Sequence, residues 1–259
     1  LTGITVTTLT RDKSHSDANL KSFVKNKDLI YHLAGVNRGT DEEILRDNIL
    51  GTFNLVRAIK AHSSARLVFA SSSQIYKPGK LKGPIRETHA AEPVSLYGLS
   101  KKTAEDLIRL AKIDYVVLRL SNVYGPGCRP YYNSVMATLC DKAIQGQPLI
   151  INGDGKQGRD FIYIDDVVQA LILAGTKPAK IPIFNISSNR LTSLRQVVGK
   201  IKQTVSTLEV EYQIGADTGG ASYYCDNTQF RKLYKWKPRT SLTEGIRQTL
   251  RWFKERNQA

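Results

Sequence analysis

The sequence predicts an α/β fold, a doubly wound parallel sheet with a smaller C-terminal lobe, from two observations. Strand-type apolar stretches alternate with helix-type stretches through the first half, the rhythm of βαβ units whose parallel sheet is covered on both faces. Most of the strand-type stretches also close in small or polar residues. In an open parallel sheet that edge is where ligands sit.

The elements follow in order. "ITVTTL" (4–9) is β-branched and opens the series as a strand, followed by a helical pattern at 17–26. "DLIYHLAG" (28–35) is the next strand and ends in Leu33-Ala34-Gly35. Residues 42–62 carry apolar side chains at three- and four-residue spacing and read as one long helix. "RLVFASSS" (66–73) is a strand closing in Ser71-Ser72-Ser73. Residues 97–113 form a helix that opens with Tyr97 and Lys101 one turn apart, so both sit on one face. "DYVVLRLSNVYG" (114–125) and "IPIFNIS" (181–187) are further strands, closing near Ser121-Asn122 and Asn185. Gly/Pro-rich connections follow residue 125, and helical patterns return at 191–206 and 242–256, which predicts the smaller lobe.

Composition narrows the function classes. With 259 residues, 41% hydrophobic and 24% charged, the chain has ordinary globular make-up. No apolar run approaches the ~18 residues of a membrane span. Three widely spaced cysteines, Cys128, Cys140 and Cys225, point to a reducing, cytoplasmic setting without a disulfide framework or zinc site. The formal charge of +15 favours an anionic partner, but the basic residues are spread along the chain. The densest run, "FRKLYKWKPR" (230–239), reads better as a helix end packing Leu233 and Trp236 before a proline stop than as a nucleic-acid surface. His32 reads as a packed strand residue, and Asp165-Asp166 as helix-starting carboxylates.

The motifs "HLAG" (32–35), "NILGTFNL" (48–55), "SSSQIY" (71–76), "YGLSK" (97–101), "SNVYGPG" (121–127), "GDGKQGRDFIYIDDV" (153–167) and "WKPRTSLTEGI" (236–246) resemble the extended short-chain dehydrogenase/reductases, in their nucleotide-sugar epimerase/dehydratase branch. The resemblance runs from about residue 4 to residue 253 and implies a Rossmann-like sheet. Residues 1–124 and 161–187 would form the cofactor domain, and 125–160 and 188–259 the substrate-binding lobe. Ser72, Tyr97 and Lys101 would be catalytic. A phenol, with its pKa of about 10, is a poor base near neutrality, and a nearby ammonium lowers that pKa. Leu33, Ala34, Gly35, Asn48, Ser71, Tyr97 and Lys101 would face the cofactor, NAD or NADP. Arg11, after the first strand, would suit the NADP phosphate. Ser73, Asn122 and Arg159 would meet the substrate, a nucleotide-diphosphate sugar, Arg159 gripping phosphate oxygens through its guanidinium fork.

Related 4,6-dehydratases carry acidic residues directly after the catalytic serine or threonine. This chain has Ser73 and Gln74 there, which favours epimerisation through a 4-keto intermediate over dehydration. A keto-sugar reductase using NADPH is the alternative, kept open by "AGVNR" (34–38) and "CRPYYNS" (128–134). An inactive basic binding protein on the same fold is the second. A homodimer through the long helices is the family's habit. The glycine-rich strand-turn-helix with which the family opens is not found here; residues 4–9 resemble its second strand. The expectation is therefore an N-terminally incomplete chain, or residues 4–9 shifted into the central gap, with weak dinucleotide binding in either case.

Overall fold

In the computed structural model, residues 4–11, 13, 16–77, 83–132, 134–177, 181–216 and 222–258 are described. Residues 1–3, Asn133 of "CRPYYNS" and 219–221 of "GGASYYCD" lie outside them. The chain divides into two compact units: Leu1–Ile75 with Ala91–Leu118 and Ala174–Ile183, and Tyr76–Ala90 with Arg119–Leu173 and Phe184–Ala259. The expected division differs, since 76–90, 119–124, 161–173 and 184–187 pack with the second unit.

The first unit runs α1 (Asp17–Val24), β1 (Leu29–His32), α2 (Asp41–Ile44), α3 (Gly51–His62), β2 (Arg66–Ser72), α4 (Leu96–Ala111) and the start of β3 (Tyr115–Leu120). Three of these helices begin where a side chain takes up an orphan amide, while α3 has no side-chain cap. Ser16 accepts from Asn19, Ser95 accepts from Gly98, and Thr40 forms a capping box with Glu43. The expected single helix at 42–62 is interrupted: Leu45–Leu50 widens to π-helical turns. β1 and β2 pair in parallel, with Leu29 opposite Arg66. Their core joins Leu20, Val24, Ile30, Leu55, Ile59, Leu67, Ala104 and Ile108.

Residues 4–9 do not form the expected strand and do not fill a central gap. They carry no sheet pairing, and Val6 is 80% exposed. β-branched alternation confers propensity, but a strand needs a hydrogen-bonded neighbour, and among the described residues this segment has none.

The second unit continues with β4 (Asn122–Tyr124), α5 (Val135–Ile144), β5 (Leu149–Asn152), β6 (Gly158–Arg159), β7 (Phe161–Tyr163), α6 (Ile164–Thr176), β8 (Ile183–Ile186), β9 (Thr192–Ser193), α7 (Leu194–Lys202), β10 (Val210–Gln213), α8 (Thr228–Tyr234) and α9 (Leu242–Gln258). The four-stranded sheet has the order β1-β2-β3-β8, and three two-stranded sheets pair β4 with β7, β5 with β10 and β6 with β9. The expected strand at 114–125 breaks at Ser121, where the chain changes partner. Ser121 N–H donates to Ile186 O, and the next amide, Asn122, donates to Asp160 O. A core built on Met136, Leu149, Tyr163, Val197, Ile201 and Phe253 fills this unit. Trp236 is buried beside Phe230, which also meets Phe184 and Tyr234. The aromatics of "FRKLYKWKPR" thus turn inward, with one correction: Leu233 is exposed rather than packed.

Candidate functional site

In the first unit, the side chains expected from sequence to be catalytic lie where β2 ends and α4 begins. Ser95 caps α4, so its first turn presents Tyr97, and Lys101 follows one turn on. Gly98 lets that turn press against the chain after β2. A Cβ there would collide with the Gln74 carbonyl oxygen and meet Pro93 Cβ at 3.0 Å. Lys101 is 4% exposed; its Nζ donates to Ala70 O at 3.0 Å and lies 4.8 Å from the Phe69 ring centroid and 6.0 Å from that of Tyr97. Burial pulls its pKa down to about 8, against the opposing pull of Glu105. The contacts to Ala70 and Gln74 bracket Ser72 along the chain, and Ser72 Oγ accepts from Gln74 N–H at 3.1 Å.

Leu33, Ala34 and Gly35 are exposed at the end of β1. At Gly35 a Cβ would fill a cradle walled by Asn48 Oδ1 and Lys101 Nζ, each 3.1 Å away. Asn48 is held in the π-helical turns by three bonds: its Oδ1 accepts from Val36 N–H, and its Nδ2 donates to Val36 O and Ser100 Oγ. The cradle is therefore stiff, and Gly35, Asn48, Tyr97 and Lys101 fit the ribose end of a nicotinamide dinucleotide.

Two expected residues, Ser71 and Arg11, hold other partners, and a third, Ser73, is buried. Ser71 is buried, and its hydroxyl donates to Glu105 Oε1 at 2.5 Å. Ser73 is buried in the short 3₁₀ turn Ser73–Ile75. Arg11 forms ion pairs with Glu43 and Asp47.

His32 is packed, as its place on the strand suggested. Its Nε2 bonds Thr52 Oγ1 at 2.9 Å and its ring lies against Phe69. Burial, then the Lys101 charge, lowers its pKa to about 3. Below pH 6.5 the unfolded chain takes up a proton that folded His32 refuses. Its contribution to stability is therefore lost as pH falls from about 6.5 toward 3, at up to about 1.4 kcal/mol per unit. His32→Gln should flatten this slope in thermal melts at pH 4–7; equal slopes for variant and parent would contradict it.

In the second unit, Arg159 pairs with Thr192 across β6 and β9, and its Nη1 donates to Gly158 O. Asn122 Nδ2 donates to Asp160 O at 3.2 Å. Sequence reasoning missed Asp160 itself. It is 1% exposed, and its carboxylate accepts from Ser188 N–H and Oγ, Cys225 N–H and Ser121 Oγ. The donors lie 28 to 65 residues away in sequence, so no local signal marks it. Asp166, read as a helix-starting carboxylate, lies in the first turn of α6 and also accepts from the amides of Arg239 and Thr240.

A profile of the NAD dependent epimerase/dehydratase family matches residues 4–187. The chain belongs to that family. Among its relatives, a putative UDP-glucose 4-epimerase of Methanocaldococcus jannaschii is 35% identical, over 95% of this chain and 83% of that protein. The solved structure of MoeE5 with UDP-glucose and NAD is 31% identical at a TM-score of 0.82, over 93% of this chain and 83% of that one. UDP-glucuronic acid 4-epimerase of Bacillus cereus, solved with UDP-glucuronic acid and NAD, is 26% identical at the same TM-score, over 91% and 78%. The family and these neighbours agree with the α/β fold, the Rossmann-like sheet and the enzyme class expected from sequence. Among the described residues, no helix is long and apolar enough to cross a membrane.

Proposed function

We propose that this family member is an NAD-dependent 4-epimerase of a nucleoside-diphosphate sugar. The observation that carries this reading is the pairing of Tyr97 with a buried Lys101 beside the Gly35 cradle. Bound there, NAD would accept hydride from the sugar and return it. Tyr97 takes the hydroxyl proton as the ring carbon is oxidised and gives it back on reduction. Lys101, protonated, favours the phenolate. Ser72 hydrogen-bonds the reacting oxygen, and Asn48 holds the cradle wall. Arg159 grips the diphosphate and Asn122 steadies the sugar. Arg11 is committed to Asp47 and Glu43, which supports NAD over its 2′-phosphorylated form. Ser73 and Gln74 offer no acid for water elimination, which supports epimerisation over dehydration.

Incubation with UDP-glucose and NAD, followed by anion-exchange chromatography, tests the reading. UDP-galactose should form without net NADH. Stoichiometric NADH, or a product lacking the elements of water, would replace this reaction with another. Arg159→Ala should weaken nucleotide-sugar binding about ten- to a hundredfold, the worth of a charge-assisted contact of about 1.5–3 kcal/mol. Calorimetry giving equal affinities would remove Arg159 from the site.

Exposed Leu50, Phe53, Leu99 and Leu110, around α3 and along α4, support a homodimer through these helices. The three free cysteines support a reducing, cytoplasmic setting.

A further inference from the structure

We infer that Glu105 is a positioning residue for the reaction, the fixed counter-ion that keeps buried Lys101 protonated. The inference rests on the reading of Tyr97 and Lys101 as the reacting pair. Glu105 follows Lys101 by four residues on α4, so the two share a face, and each is only 4% exposed. Two consecutive residues of β2 hold them. Ala70 O accepts from Lys101 Nζ at 3.0 Å, and Ser71 Oγ donates to Glu105 Oε1 at 2.5 Å. That hydroxyl bond gives the carboxylate a fixed place and an accepting role.

A buried ammonium needs an anion, because burial alone favours its loss of a proton. Among the described residues of the first unit, the buried carboxylates are Asp47 and Glu105. Asp47 is engaged by Arg46 and Arg11, which leaves Glu105 for Lys101. Apart from the Tyr97 phenol on which it acts, the other groups facing Lys101 carry no negative charge at neutral pH to take its place. His32 on β1 stays neutral, Asn48 and Gly35 are uncharged, and β2 offers the Phe69 ring and the Ala70 carbonyl. Beyond Glu105, the Tyr115 phenol on β3 is pushed up by burial, with Arg109 and Glu105 acting on it in opposite senses.

The sign follows. Burial lowers the Lys101 pKa to about 8 and Glu105 raises it. Without the carboxylate, Lys101 would lose its proton at lower pH, and Tyr97 would lose the ammonium that favours its phenolate.

The test reads Lys101 directly, without added nucleotide. Protein labelled with [ε-¹³C]lysine is titrated by NMR, and the Lys101 signal is assigned by its loss in Lys101→Met. Glu105→Gln keeps the shape and the Ser71 contact and should lower the Lys101 pKa by about one to three units. Glu105→Asp, with the charge withdrawn by one methylene, should fall between. It carries the test alone if melting curves show that Glu105→Gln does not fold. In turnover assays, the basic limb of the pH–rate profile should move acidward by the same amount, with KM for nucleotide sugar unchanged. A Lys101 pKa equal in parent and variants overturns the counter-ion role and leaves the epimerase reading untouched. The expected shift in a parent that interconverts no nucleotide sugar overturns the epimerase reading instead.

Discussion

Tyr97→Phe should reduce turnover by about a hundred- to ten-thousandfold, the usual worth of a positioned acid–base group, while nucleotide-sugar affinity stays within about twofold. The substitution removes one oxygen. The ring remains at the first turn of α4, and the Ser95 cap, the Gly98 contact and the Lys101–Ala70 bond do not involve the phenol. Chemistry and binding should therefore separate. Single-turnover rates and calorimetry measure the two halves. Lost affinity with normal turnover of bound substrate would make Tyr97 a binding residue.

The largest structural effect is expected at Asp160. Replacing it with alanine strands two main-chain donors, Ser188 N–H and Cys225 N–H, together with the Ser121 hydroxyl, while the Ser188 hydroxyl keeps Arg190 O. Each buried unpaired group costs about 1–3 kcal/mol. Burial also pushes the Asp160 carboxyl up, so its removal returns part of a desolvation cost. A net loss of about 3 kcal/mol remains, which for a chain of this size is a fall of roughly 6–12 °C in melting temperature. A melt within 2 °C of the parent would show that water replaces the carboxylate.

What the sequence displayed was local. Tyr97 and Lys101 are four residues apart, Ser95 precedes the helix it caps, and the strand at 66–73 shows its small-residue end in one stretch. What it concealed depends on distant partners. The β-branched run at 4–9 has strand propensity, but pairing decides a strand. The break at Ser121 arises because the next amide finds Asp160, 38 residues on. The Asp160 donors and the meeting of Phe184, Phe230 and Trp236 are tertiary events without a short-range signature. Glu105 lay in view one turn from Lys101, but spacing alone does not distinguish a counter-ion from a solvated helix face. The Ser71 hydroxyl and the burial of both charges make that distinction.

The proposed proton-handling residues Ser72, Tyr97 and Lys101 belong to one compact unit, and the proposed grip on the nucleotide, Arg159 with Asn122, belongs to the other. On that proposal, reaction type and substrate choice would be written in different parts of the chain. A lineage could exchange the sugar it accepts by drift at 119–173 and 184–259 while inheriting the oxidation chemistry unaltered. For engineering, that makes the second unit the place to randomise and the first the place to leave alone.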